Sequence, residues 1–251
     1  MKIEVLMSAC KVKKIDDVVK NKNINNCVIV NQLVNKNKID KKNKITMYSY
    51  DEKGLSRSRN RLLEHMTGDI EIITDDDITF VKDYEKIVKK AYNDNPDADI
   101  ITFNIKIGDR IIGSEKSFKY NKITILKVNS CQMTFKTKSI KDANIYFNEN
   151  FGIGAKYISG EENIFLSDCL KNNLIIKHIP IIICEHPDEA TSGEKWSKEE
   201  IITKGALSKK LYKCDLLYRL YMVITKYHLY KSEFSMKEFI KLYKKGRQEY
   251  K

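Results

Sequence analysis

The spacing of apolar residues changes period several times along the chain, and each change marks an element. Through the first 105 residues, short runs of Ile, Val, Met and Thr alternate with helical patterns. Strands are expected at 3–10, 27–32, 44–50, 70–74 and 98–105, and helices at 15–20, 56–66 and 82–93. The last of these carries Tyr84, Ile87, Val88 and Ala91 at i, i+3, i+4 and i+7, one face of a 3.6-residue helix. The middle three strands alternate poorly between polar and apolar, as strands covered on both faces do. Strand and helix taking turns in this way predict βαβ units and an α/β fold with a mostly parallel sheet flanked by helices.

Beyond residue 105 the rhythm changes. Ile105-Lys106-Ile107, Gly108-Asp109 and Arg110-Ile111-Ile112 read as a hairpin. There follow a strand at 131–136, a glycine-bearing loop at 147–154, a helix at 161–171, a very apolar strand at 179–184, and helical patterns at 207–230 and 236–243. Only Pro96, Pro180 and Pro187 occur, and no Pro/Gly/Ser-rich linker or internal repeat interrupts the chain. One α/β domain over 1–207 with a helical tail over 208–251 is expected.

Charge sets that tail apart. The formal charge is +12, but residues 204–251 hold 13 Lys/Arg against 4 Asp/Glu, so +9 of the excess is there. Leu217, Leu220, Tyr221, Ile224 and Tyr227 fall on one helical face, with Lys213, Arg219, Lys226 and Lys231 elsewhere. Met236, Phe239, Ile240 and Tyr243 repeat the pattern beside Lys237, Lys241, Lys244, Lys245 and Arg247. A basic, tyrosine-rich amphipathic helix suits a membrane surface of anionic lipid. The same pattern also describes a helix packed on its own domain with a solvated basic face. No specific nucleic-acid partner is expected. The longest apolar stretch, 220–225, is far short of the roughly 20 residues that span a bilayer. Six cysteines form no CxxC pair, and the N-terminus runs straight into a strand with no leader segment. Free thiols in a cytoplasmic protein, peripheral on the inner face of the cell membrane, are the expectation.

The candidate chemistry lies at strand ends, where ligands bind in open parallel sheets. Asp75-Asp76-Asp77 closes the strand 70–74, and alternation predicts Asp75 and Asp77 on one side. Three adjacent carboxylates repel unless a cation or a set of donors neutralises them, which points to a metal and phosphate site; a capping turn is the plainer alternative. Ser56, Arg57, Arg59 and Asn60 open a helix, where an anion is favoured and Arg59 can fork onto phosphate; an ordinary Ser N-cap would look the same. Glu161 and Glu162 begin another helix, placed either as a general base or as dipole partners. His186 follows the strand 179–184 and could complete a metal site or be structural.

In this order, these pieces resemble a family 2 glycosyltransferase of the GT-A fold, Rossmann-like and nucleotide-sugar dependent, of the bacterial polysaccharide type. The resemblance covers about residues 1–207. It implies Ser8, Ala9 and Cys10 beside the nucleotide base, and Arg59 near the uridine or diphosphate. The triplet corresponds to the family's DxD region, with Asp75 and Asp76 on the nucleotide and Asp75, Asp77 and His186 on Mn²⁺ or Mg²⁺. Glu161-Glu162 matches the family's Glu-Asp pair, whose second member is the usual base; here Glu162 is a methylene longer than Asp. The implied reaction is a mostly inverting transfer of a sugar from a UDP-sugar donor to a glycan or lipid-linked glycan acceptor in surface polysaccharide synthesis. Two other readings stay open. A nucleotidyltransferase would want a glycine-rich loop after the first strand, and Met7-Ser8-Ala9-Cys10-Lys11 has no glycine. A non-catalytic polyanion-binding module would leave the triplet without a role.

Overall fold

The computed structural model describes residues 1–187, 195–212 and 216–250. Lys213 and Cys214, and the side chain of Leu217, which the sequence placed in the tail helix, lie outside the described residues. The chain runs β1 (Ile3–Cys10), α1 (Asp16–Val19), β2 (Cys27–Gln32), β3 (Lys38–Lys42), β4 (Ile45–Tyr50), α2 (Leu55–His65), β5 (Ile70–Asp75), β6 (Thr79–Phe80), α3 (Tyr84–Asp94) and β7 (Ile100–Ile107). It continues with β8 (Arg110–Ile112), β9 (Phe118–Lys119), β10 (Met133–Lys136), α4 (Thr137–Asp142), α5 (Glu161–Lys171), β11 (Ile176–His186), α6 (Lys198–Leu211), α7 (Leu216–Thr225), α8 (Tyr227–Tyr230) and α9 (Met236–Glu249).

The strands form one sheet in the order β3-β4-β2-β1-β5-β10-β7-β11-β6, with β8 on β7 and β9 on β11. β1 lies between β2 and β5 and runs parallel to both, so their carboxyl ends open on the same edge. β10 enters antiparallel between β5 and β7. The register of β11 on β7 shifts between Ile179 and Ile182, where Pro180 has no N–H for the ladder.

Both faces are covered, which is why β1 shows no alternation. Val5 and Met7 pack with Tyr84, Val88 and Ala91 of α3. Leu6 and Ile73 pack on the other side with Leu62 and Leu63 of α2 and Phe165 and Leu166 of α5. The mostly parallel α/β architecture expected from the sequence is the one observed. β3 was not legible, because Lys-Ile-Asp-Lys-Lys carries no apolar pattern; it pairs antiparallel at the sheet edge, where lysines discourage further pairing.

The tail differs more. Where one helix was expected over 207–230, α6 already begins at Lys198, capped by Ser197 and Glu200 in reciprocal hydrogen bonds. It is continuous through residue 207, and α7 and α8 follow separately. α6 crosses α9 at two glycines. A Cβ on Gly205 would lie 2.0 Å from the Tyr243 carbonyl oxygen, and one on Gly246 1.9 Å from that of Ile202, so only bare backbone fits. Trp196, Ile201, Tyr218, Met222, Tyr230, Phe239 and Tyr243 form a core of their own between these helices.

Candidate functional site

Ser8 and Asp75 are register partners at the carboxyl ends of β1 and β5. Beside them a cleft of about 250 Å³ is lined by Ser8, Ala9, Cys10, Gln32, Leu33, Lys53, Gly54, Asp75, Asp76, Ile153 and Gly154. The expected nucleotide residues of the first strand and the first two aspartates thus share one wall. Gln32, Leu33, Lys53 and Ile153 were not foreseen. Leu33 had a signal only in its place just past a strand, and it sits at φ 59°, turning the chain over the cleft.

Arg59 is placed differently from a phosphate ligand. It is 1% exposed and spans two carboxylates beneath the cleft: Nη1 donates to Glu161 Oε1 at 2.8 Å and Nη2 to Asp75 Oδ1 at 3.3 Å. Burial opposes the guanidinium charge, but Asp75 and Glu161 outweigh it and raise its pKa. The neighbouring α2 residues also look inward. Ser56 Oγ donates to the Phe151 carbonyl at 2.6 Å, and Arg57 pairs with Glu149. Asn60 exchanges hydrogen bonds with both backbone groups of Phe147. These residues fasten the 147–154 loop to α2 rather than opening toward an anion. Gly152, at φ 103°, lets the loop pass: a Cβ there would stand 3.3 Å from the Glu161 carboxylate.

The acidic triplet splits. β5 ends at Asp75, and residues 76 and 77 form a turn, so strand alternation stops and Asp77 does not follow Asp75. Asp75 faces Arg59, and its Oδ2 accepts a long contact from Cys131 Sγ at 3.6 Å. Asp76 lines the cleft; desolvation, then Asp77, raise its pKa, while the Lys22 ammonium bonds its carbonyl oxygen. Asp77 Oδ2 lies 3.2 Å from His186 Nε2 at the end of β11. His186 Nδ1 is 2.8 Å from the Pro187 carbonyl oxygen, so both ring nitrogens face oxygen acceptors.

Two metal ligands expected from the sequence, Asp77 and His186, therefore meet, while Asp75 is held by Arg59. Among the described residues no three His, Cys, Asp or Glu groups converge as a complete metal cage. An imidazole and a carboxylate facing each other, with the other imidazole nitrogen on a carbonyl, still suit a cation that takes its remaining oxygens from phosphate and water.

The two glutamates also separate. Glu161 is buried and committed to Arg59. Glu162 takes a hydrogen bond from its own backbone N–H, has no salt-bridge partner among the described residues and keeps partial access to solvent. Desolvation by its surroundings, followed by the charge of Glu161, pushes its pKa well above the ordinary carboxylate range. Lys204 of α6, which the sequence reading passed over, opposes that rise. Its Nζ donates to Ser159 Oγ at 3.1 Å and lies 5.6 Å from the Trp196 ring, and burial lowers its own pKa.

Residues 28–155 match the model of glycosyl transferase family 2. The chain belongs to that family. The match contains Arg59 and the aspartate triplet, while Ser8–Cys10, the two glutamates and His186 lie outside it. The solved structures reach them. S. aureus TarS 1-349 superposes with a TM-score of 0.66 at 13% identity, over 97% of this chain and 81% of that one. The complex of TarS 1-349 with UDP-GlcNAc gives 0.67 at 14% identity, over 96% and 79%. The complex with UDP gives 0.64 at 12%, over 96% and 81%. At such identities the likeness is one of fold. A comparison with curated proteins finds no match. In this family 2 glycosyltransferase, the edge bearing Ser8, Asp75 and Glu162 is the open end of the sheet.

Proposed function

We propose that the chain is a metal-dependent, inverting glycosyltransferase that moves a sugar from a UDP-sugar to a hydroxyl of a glycan or lipid-linked glycan at the inner face of the cell membrane, in surface polysaccharide synthesis. The observation that carries this is the meeting, at one strand edge, of a cleft of about 250 Å³, a carboxylate-imidazole pair and a glutamate free of any salt bridge. The UDP and UDP-GlcNAc bound by the structurally similar TarS support the donor class.

The cleft would take the base between Ser8–Cys10 and the Leu33 turn, with Asp76 toward the ribose. Asp77 and His186 would hold Mn²⁺ or Mg²⁺, which when bound offsets the charge that develops on the departing diphosphate. Glu162 would take the acceptor's proton as its oxygen attacks the sugar carbon from the face opposite the diphosphate, a single displacement that inverts that carbon. Glu161, spent on Arg59, is the positioning partner rather than the base.

Thermal stabilisation tests the donor site directly. A ligand that binds only the folded state raises the melting temperature, so UDP should shift it with Mn²⁺ present and much less without. Asp77→Ala should remove the metal-dependent part. A chain that UDP leaves unshifted with and without metal overturns the donor reading.

A further inference from the structure

We propose that the exposed face of α7, together with the lysines beside it, seats this protein on an anionic lipid bilayer. This deepens the reading of a membrane-presented acceptor and rests on it for its purpose, but the surface is argued from its own observations.

Leu216, Leu220 and Ile224 recur every four residues along α7 and are 48%, 45% and 73% exposed, and Tyr227, at the start of α8, is 46% exposed. The opposite face, through Tyr218 and Met222, is buried in the core shared with α6 and α9. One side of α7 is thus pinned and the other presents a row of large apolar side chains. Single exposed apolar residues are ordinary, whereas an aligned row marks a contact surface. The helix has 10 residues. No helix among the described residues is long and apolar enough to cross a membrane, so α7 could only lie flat in the headgroup boundary.

Charge selects the occupant. Tyr212, whose ring lies 5.5 Å from that of Tyr218, donates its hydroxyl to the Lys122 carbonyl at 2.7 Å. Tyr212 also lines a recess of about 650 Å³ with Lys122, Lys171, Lys209 and Lys210, at the end of α6 that leads to α7. Asp168 offsets Lys171. Lys122, Lys209 and Lys210 have no ion-pair partner among the described residues, and Ile123 beside them is 64% exposed. A second copy of this chain would bring the same positive charges and be repelled, while a phosphate-rich lipid surface complements both the lysines and the apolar row.

Vesicle flotation decides it, using the full chain with phosphatidylcholine alone and with phosphatidylcholine containing phosphatidylglycerol. The protein should float with the anionic vesicles only, and raised salt should weaken that binding. Lys209→Glu with Lys210→Glu should reduce it by more than about tenfold. Leu220→Glu with Ile224→Glu should also abolish flotation while leaving the melting curve and the UDP shift intact, since both positions are exposed. Flotation of this variant at the wild-type level overturns the proposal, as does a wild-type chain that never floats. So does a wild-type chain that stays with no vesicle but self-associates through α7, losing that association in the variant. Flotation without a UDP shift supports the surface and removes the donor reading; a UDP shift without flotation removes the surface alone.

Discussion

The paired strands β1 and β5 have carboxylates near their amino ends, and β5 has three more where it ends; the two ends treat them oppositely. At the amino ends, Glu4 and Glu71 are register partners and almost wholly buried. Glu4 accepts the backbone N–H groups of Thr67 and Gly68, the Thr67 hydroxyl and the Lys2 ammonium. These donors close around it. At the carboxyl ends, Asp75, Asp76 and Asp77 fan out toward an arginine, a cleft and a histidine. The cavity beside Glu4 is the larger, about 690 Å³ against about 250 Å³. Size therefore does not choose the site. The open end has the Asp77–His186 pair and a Glu162 without a salt bridge; the closed end has carboxylates held by backbone and side-chain donors. An acidic cluster becomes chemistry only where internal donors do not take up its carboxylates.

Removing Arg59 would break that contrast most severely. Arg59→Ala leaves Glu161 buried without its cation and Asp75 released, a change that typically costs about 3–5 kcal/mol. The melting temperature should fall steeply, and UDP binding should fall with it. Arg59→Lys should recover only part, because an ammonium cannot span both carboxylates as the fork does. If Arg59→Ala melts with the wild type, the bridge beneath the cleft is not what organises the site.

Glu162→Gln probes the open end next. It should lower kcat by about a hundredfold to a thousandfold without lowering the melting temperature. Burial and Glu161 raise the folded pKa of Glu162, so the ionised, proton-accepting form accumulates only as pH rises through that displaced value. Sugar transfer should therefore climb with pH on a limb lying above the usual carboxylate range. Glu161→Gln should instead lower stability. Equal activity in Glu162→Gln and the wild type would move the base elsewhere.

His186→Ala should weaken the Mn²⁺ dependence of UDP stabilisation by about a hundredfold in metal concentration, leaving the metal-free melting temperature near wild type. An unchanged metal titration would mean that the Asp77–His186 contact is only structural.

The sequence showed the sheet well and the site unevenly, for physical reasons that particular residues make plain. Buried strands such as β1 and β2 announce themselves because both faces need apolar side chains. β3, nearly all lysine and aspartate, has no such requirement. Positions at strand ends were readable for Ser8–Cys10 and Asp75–Asp77, since topology converges there. Directions were not: a turn after Asp75 sends Asp77 to His186, and nothing local in the sequence says so. Arg59, Ser56 and Asn60 looked like anion ligands because their partners, Glu161, Phe151 and Phe147, lie about 90 to 100 residues away. Lys204 had no signal at all, because only the packing of α6 brings it near Glu162.

The smallest effect expected is at the closed end, and there it runs toward greater stability. Glu71 Oε1 accepts from the Gly68 N–H and the Thr137 hydroxyl, each at 2.9 Å, while Oε2 has no partner. Desolvation, then the charge of Glu4, push its pKa up to about 8. Below the unfolded-chain value, near 4.5, both folded and unfolded states hold the proton and nothing is lost. Between that value and about 8 the folded chain keeps a proton that the unfolded chain releases, so stability declines as pH rises. Glu71→Gln removes the penalty: its carbonyl can accept the same two donors, and its amide can turn toward Glu4. The variant should be more stable than the wild type at pH 8 and match it near pH 4.5. The same exchange at Glu162, whose carboxyl is raised by the same two causes, should not lower stability either but should remove function. If Glu71→Gln is instead destabilising at every pH, the carboxylates at the two ends are held by the same means, and the contrast between a closed end and an open one fails at its simpler side.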